Sequence, residues 1–334
     1  MTNLKFSKDI KKIADQIDES KLKGKVGIKV HFGERGCETY LDPQIVEAVY
    51  NKITSLGYEA TLVECNVLYK GSRTNKKDHI KTAHDHGFDF APIDILDGEK
   101  GDDFIELKAG GNIEKAKIGK GIENYDSLVV LSHFKGHTAS GFGGALKNLG
   151  MGLGSRAGKL HMHSDVSPTI NKDKCTKCEV CIENCDVDAI TMTNEGAEID
   201  KEKCIGCAMC IAVCQFGAVS VPWGGSTNKK LQEKIVDYSE AIINYLDRNL
   251  IYINVLDNIT KDCDCVGHKQ EPIITDLGFF ISNDPVAIDK ASLDLVNKKT
   301  DNKFEAFNSV NNLDKINYAK KRKIGDVNYK INKI

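Results

Sequence analysis

Residues 175–185 read Cys-Thr-Lys-Cys-Glu-Val-Cys-Ile-Glu-Asn-Cys, and residues 204–214 read Cys-Ile-Gly-Cys-Ala-Met-Cys-Ile-Ala-Val-Cys. Each stretch is a C-x2-C-x2-C-x3-C run, and the second begins 29 residues after the first. Three thiolates at this spacing can wrap three corners of an iron–sulfur cube on a tight loop. The fourth is directed away and ligates the other cube. The spacing therefore assigns Cys175, Cys178, Cys181 and Cys214 to one 4Fe-4S cluster, and Cys204, Cys207, Cys210 and Cys185 to a second. Zinc commonly takes two separated ligand pairs, which two even quartets suit poorly. The proline that usually follows the fourth cysteine is replaced by Asp186 and Gln215, but that proline shapes the loop and is not a ligand.

The repeat extends beyond the cysteines. A charged lead precedes each run, at 171–174 and 200–203, and an apolar β-prone stretch follows each, at 189–192 and 217–221. From Pro168 to Trp223 five lysines and no arginine face nine Asp/Glu, so the segment is acidic. Negative charge around an anionic cluster favours its oxidised form and lowers its potential. The expected chemistry is single-electron transfer at low potential.

The rest of the 334-residue chain sets the context. Formal net charge is -2, with 41 % hydrophobic and 28 % charged residues. That balance builds a substantial core and argues against a nucleic-acid partner, which calls for a clustered basic excess. No stretch approaches the ~18 apolar residues of a membrane span, and the start has no apolar export segment. The expected compartment is the cytoplasm, where twelve cysteines are better explained by metal than by disulfides.

Upstream of the cysteine runs, strands are predicted at 25–31, 59–65 and 127–132, with helices from Asp42-Pro43 to Leu56 and from Asn75 to His86, each stopped by a glycine. Downstream, helices are predicted at 228–246 and from Asp284-Pro285, with strands at 251–256 and 278–282. The Asn- and Lys-rich tail after Lys298 reads as peripheral. Alternating strands and helices give an α/β fold, an open sheet with helices packed on it. A small α+β bacterial-type ferredoxin module interrupts it. Neither flank makes a complete domain, so the chain divides into 1–167, the first part of the α/β domain, 168–223, the two-cluster module, and 224–334, the second part.

Open α/β sheets bind ligands at the carboxyl ends of their strands. Four predicted strands release there into polar stretches: His31 to Cys37, Glu64-Cys65-Asn66 with Tyr69 and Arg73, Ser132 to His137, and Asp262 to His268. Cys263, Cys265, Cys65, His31, His133 and Lys147 are the candidate reactive residues, with Arg73 and Arg156 as anion clamps. In an extended segment Cys263 and Cys265 share a face, so both sulfurs can address one ion or substrate. Cys37 and Cys65, each standing alone, read more readily as small buried hydrophobes than as ligands. The glycine-rich run 141–156 lacks the Lys-Ser/Thr of a phosphate loop. Its amides, with Lys147 and Arg156, are a candidate anion cradle, against the plainer reading of glycine for close packing.

These segments, taken together, resemble the domain of unknown function 362 family in its form with an inserted two-cluster ferredoxin domain. The matching stretches are 31–34, 68–73, 132–137, 141–161, both cysteine quartets, 262–265 and 282–289. The resemblance implies iron–sulfur cofactors and this layout, and no substrate. Gly143-Gly144-Ala145-Leu146-Lys147 with His161 is also similar to a stretch of the nickel-pincer lactate racemase group, with one extra residue before the lysine.

The leading expectation is an iron–sulfur oxidoreductase. Its two 4Fe-4S clusters exchange single electrons with a site at the strand ends, which holds a small-molecule substrate or a further metal or flavin. A protein redox partner is expected, with no nucleic acid or membrane involved; the sequence leaves the oligomeric state open. The alternatives are a ferredoxin-type carrier whose α/β domain only docks partners, and a metal- or cofactor-handling enzyme.

Overall fold

In the computed structural model, which describes residues 1–164, 167–223, 225–307 and 310–334, eight strands form one sheet. They are β1 (Thr2–Ser7), β2 (Lys25–Lys29), β3 (Glu59–Glu64), β4 (Ile93–Ile95), β5 (Ser127–His133), β6 (Leu250–Val255), β7 (Phe279–Ser282) and β8 (Tyr329–Lys333). Their order across the sheet is β8-β1-β7-β6-β5-β2-β3-β4. Neighbours from β6 to β4 are parallel, and β7 alone runs against both of its neighbours. The central strands β5 and β6 are buried at every position, as expected where helices cover both faces.

Alternate residues of β5 serve opposite cores. Leu128 and Val130 pack into one apolar cluster, Val129 and Leu131 into the other. Among the described residues seven helices of eight or more residues accompany the sheet: α1 (Pro43–Ser55), α2 (Lys76–Asp85), α3 (Ala145–Leu153), α4 (Arg156–His163), α5 (Asn228–Tyr245), α6 (Pro285–Lys299) and α7 (Leu313–Lys321). Their starts follow the sequence. Asp42 accepts from the Gln44 amide ahead of Pro43, and Asp284 accepts from Val286 and Ala287 ahead of Pro285, each bond 2.9 Å. Such caps are worth about 1 kcal/mol each. Gly57 and Gly87, both at φ 89, close α1 and α2.

The tail corrects the sequence reading. It is not peripheral: β8 pairs in parallel with β1, and Phe304, Ile316, Ala319 and Ile324 join the core. Its Asn/Lys composition obscured short apolar spacings, and even Lys315 is buried, donating to the Phe142 carbonyl at 2.8 Å. Strands β2 and β3 also stop one or two residues earlier than predicted, which frees His31 and Cys65 from the regular ladder.

Between α4 and α5 the chain leaves the large sheet. Thr169–Ile170 pairs antiparallel with Val219–Ser220, and Ile190–Thr193 with Gly196–Ile199. Among the described residues neither pair is hydrogen-bonded into the eight-stranded sheet. Ile190, Ala197, Ile211, Val219 and Val221 make a third, separate apolar cluster, which Leu68 and Leu160 enter from the α/β body.

Candidate functional site

Two small cavities sit within the 169–221 segment. One is lined by Cys175, Cys178, Cys181 and Cys214, the other by Cys185, Cys204, Cys207 and Cys210. The fourth cysteine of each run thus faces the cavity of the other run. The backbone repeats with the sequence. Lys177, Glu179 and Asp188 have φ of 56, 62 and 48, and 29 residues on Gly206, Ala208 and Gly217 have 67, 61 and 62. A left-handed conformation costs a residue with a Cβ about 1–2 kcal/mol, and three of these six positions carry glycine-free strain in the first repeat alone. Amide groups are turned to sulfur at matching places: Ala189 donates to Cys185 Sγ at 3.3 Å and Ala218 to Cys214 Sγ at 3.2 Å. Burial, then the neighbouring Cys207 and Cys204 thiols, push the Cys210 thiol up to about 12.

A cavity of about 480 Å³ opens at the carboxyl ends of β2, β3, β5 and β6, within the range of small-ligand sites. These four strands are neighbours in the sheet, so their loops meet there. His31, Arg73, His133, Lys147, Cys263 and Cys265 all line it. Arg73 is fully buried; its guanidinium donates to the Tyr69 hydroxyl at 2.7 Å, lies 3.0 Å from His31 Nε2 and pairs with Glu34 at 3.4 Å. Burial, then the Arg73 charge, hold the His31 pKa well below its ordinary value. The cavity wall carries Lys147 and Lys159, which have no carboxylate partner among the described residues, beside Arg73 and Lys135, which pair with Glu34 and Asp264, and Glu64, which pairs with Lys29. Its field favours an anion.

Cys65 and Arg156 lie elsewhere. Cys65 is packed in the core with its Sγ 3.5 Å from the Leu153 carbonyl, and Arg156 turns to the Thr74 carbonyl. Neither lines the cavity. Cys37 is buried 3.7 Å from the Thr39 hydroxyl. The amide cradle expected at 141–156 is already filled. The buried carboxylate of Asp289 accepts from Ala145 at 2.7 Å and Leu146 at 3.1 Å, at the start of α3. Glycine acts there through packing, since a Cβ on Gly150 would collide with the Ile235 carbonyl of α5.

His133 faces the Asp264 carboxylate with Nδ1 at 2.9 Å and the Asp257 carbonyl with Nε2 at 2.8 Å, so both ring nitrogens are engaged. Lys135 reaches the same carboxylate at 2.6 Å. The sequence does not single out Lys135 and Asp264 as site residues, although they stand inside the strand-end stretches, and it leaves His137 balanced between a site role and capping a turn. The 262–266 segment is also not extended. Val266 donates to the Cys263 carbonyl at 3.0 Å, making a turn, and the Cys265 amide donates to Cys263 Sγ at 3.4 Å. One donor atom each from His137, Cys263 and Cys265 lie within 4.8 Å of one another, a spacing that can hold a metal ion.

The cysteine segment abuts this cavity. Leu68 belongs to the cluster that contains Cys210 and also lines the cavity wall. Lys70 donates to the Gln215 carbonyl at 2.7 Å, next to Cys214. Trp223 and His163, on the chain leaving and entering the segment, line the cavity with their rings 4.8 Å apart.

A cavity at the carboxyl edge of a mostly parallel sheet, beside a cysteine-rich excursion, defines an α/β protein whose thiols are grouped where they could hold metal. The chain belongs to the family described as domain of unknown function (DUF362), whose model matches residues 26–294. No curated protein matches it. Among solved structures it is similar to the lactate racemase apoprotein from Thermoanaerobacterium thermosaccharolyticum, at 13 % identity and TM-score 0.45, covering 90 % of this chain and 58 % of that one. A structural-genomics protein from Thermotoga maritima matches at 12 % identity and TM-score 0.38, covering 74 % of this chain and 49 % of that one. The chain thus spans about half of either structure's length. Among the described residues no helix is long and apolar enough to cross a membrane.

Proposed function

We propose that this protein is an iron–sulfur redox protein in which residues 168–223 form a two-cluster ferredoxin module serving the cavity of the α/β body. Cys175, Cys178, Cys181 and Cys214 would hold one 4Fe-4S cluster, and Cys185, Cys204, Cys207 and Cys210 the other. The donor set fits: four thiols face each small cavity, left-handed turns recur at the repeat, and amides point at sulfur. Such clusters, when bound, supply electrons one at a time, with sulfur-directed hydrogen bonds and exposure tuning the potential.

One observation carries the reading beyond a bare electron carrier. Leu68 is shared by the packing around Cys210 and by the wall of the 480 Å³ cavity. A carrier whose body only docks partners has no use for that cavity. The residues of the body have separable tasks: Arg73 and Lys147 attract and orient an anionic substrate, Tyr69 and Glu34 hold Arg73 in place, and Leu68 with Trp223 limits water at the boundary.

The test is oxygen-free purification followed by metal, sulfide and ligand analysis with electron paramagnetic resonance. About eight irons and eight acid-labile sulfides per chain, with cluster signals on reduction, are expected. Colourless protein carrying zinc in these sites would sink the proposal. Stoichiometric nickel or another metal beyond the iron would favour the metal-handling alternative.

A further inference from the structure

We infer that Cys263 and Cys265 form a redox-active dithiol/disulfide couple in the wall of the anion-binding cavity, which gathers two single electrons into one two-electron step. The inference rests on the iron–sulfur reading for its source of electrons, and on geometry for the couple itself.

The turn at 263–266 brings the two sulfurs together. Val266 donates to the Cys263 carbonyl at 3.0 Å, and the two Sγ atoms lie within 4.8 Å of each other. A disulfide needs its two Cβ atoms about 4 Å apart, and a turn brings residues i and i+2 closer than the extended chain does. Cys263 Sγ accepts from the Cys265 amide at 3.4 Å and faces the Lys147 ammonium at 4.0 Å. Among the described residues Lys147 has no carboxylate partner, so its charge is free for that sulfur or for an anionic ligand. Hydrogen bonding from the Cys265 thiol, with the Lys147 and Lys135 charges, holds the Cys263 thiol well below its ordinary pKa, while the same bond and burial raise Cys265. One attacking thiolate beside one proton-bearing thiol is the asymmetry that disulfide exchange uses.

A metal cation suits these atoms less well. His137 Nδ1 accepts from the Ala139 and Ser140 amides at 3.1 Å each. The neutral ring then carries its hydrogen on the other nitrogen, whereas a ligating histidine needs a bare nitrogen toward the metal and a donor on the far side. The Lys147 ammonium would also repel a cation.

The step balances as follows. The Cys263–Cys265 S–S bond breaks on taking up two electrons and one proton. It leaves the Cys265 thiol and the Cys263 thiolate, with the thiolate charge set against Lys147. The electrons come one from each reduced 4Fe-4S cluster of the proposed module.

The test uses the full chain, purified without oxygen and equilibrated in graded ratios of oxidised to reduced dithiothreitol. Samples are acid-quenched, alkylated and cut with trypsin, which releases both cysteines and no others in one peptide, Asp262 to Lys269. The expected result is a peptide that passes from doubly alkylated to disulfide with the slope of a two-electron couple. A peptide that stays doubly alkylated at every ratio, or is shielded by a stoichiometric metal, overturns the inference. Reduced methyl viologen, a one-electron donor, should then reduce this disulfide at least tenfold faster than oxidised dithiothreitol in the same solution; equal rates overturn the relay. Iron and sulfide analysis of the same samples separates the failures. An inert pair beside intact clusters sinks this inference alone, and a titrating pair without iron sinks the iron–sulfur reading.

Discussion

The Lys135 Nζ sits 2.6 Å from a carboxylate oxygen of Asp264, and both side chains are buried. His133 Nδ1 approaches the same carboxylate at 2.9 Å, while the Glu34 amide donates to the Asp264 carbonyl at 2.8 Å. Asp264 therefore ties together the ends of β2, β5 and β6, between the two cysteines of the cavity wall.

Removing that charge should be costly. Asp264→Asn strands the Lys135 ammonium in the interior and is expected to lose about 3–5 kcal/mol, read by urea unfolding at pH 7. A loss under 1 kcal/mol would mean that the cluster is not a structural anchor.

The pH dependence has a definite sign. Burial would raise the Asp264 carboxyl, but His133 and Lys135 outweigh it and hold the group well below the usual carboxylate range. A depressed folded pKa gives stability that is complete above the unfolded value near 3.9 and is lost as pH falls through the folded one. The gap between wild type and Asp264→Asn should stay flat from about pH 5 to 7 and narrow only below about pH 4. A gap that closes near pH 6 would contradict the assignment.

Lys147 faces Cys263 across 4.0 Å. Lys147→Met should shift the pH–rate midpoint for alkylation of the Cys263 thiol upward by about one unit, the loss of about 1.4 kcal/mol of thiolate stabilisation. Lys147→Arg should restore most of the midpoint. An unchanged midpoint in the methionine variant would remove the lysine from thiol activation.

The crossed ligand sets are separable by substitution. Cys185→Ser should abolish the same paramagnetic signal as Cys207→Ser, although Cys185 belongs to the first run in sequence, and Cys181→Ser should abolish the other. Loss of a different signal by the Cys185 and Cys207 variants would mean that each run binds its own metal.

Glu179 and Ala208 hold left-handed conformations at φ 62 and 61. Glu179→Gly and Ala208→Gly should relieve about 1 kcal/mol each, seen as slower cluster loss or a higher unfolding midpoint. Destabilisation of several kcal/mol would mean that side-chain contacts at these positions outweigh the backbone strain.

Much of this layout could be read from residue order. Asp42-Pro43 and Asp284-Pro285 announce helix starts locally, and buried β5 and β6 declare themselves by unbroken apolar runs. The meeting of His31, His133 and Cys263 needed only the strand-end rule, because β2, β5 and β6 are sheet neighbours. What escaped was non-local. Nothing near Lys315 in sequence says that its ammonium will find the Phe142 carbonyl, and nothing near Gly144 says that Asp289 will fill the amides following it. Cys65 illustrates the opposite error: its neighbour Glu64 takes the cavity side, and the alternation of successive side chains sends the cysteine the other way, toward Leu153.

The pairing of Thr169–Ile170 with Val219–Ser220 brings the chain back to where it departed. A detour with adjacent ends can be excised and replaced by a tight turn without asking the eight-stranded sheet to move. The same property makes the detour exchangeable, so that one scaffold can be fitted with different wiring while the strand-end side of its cavity stays in place.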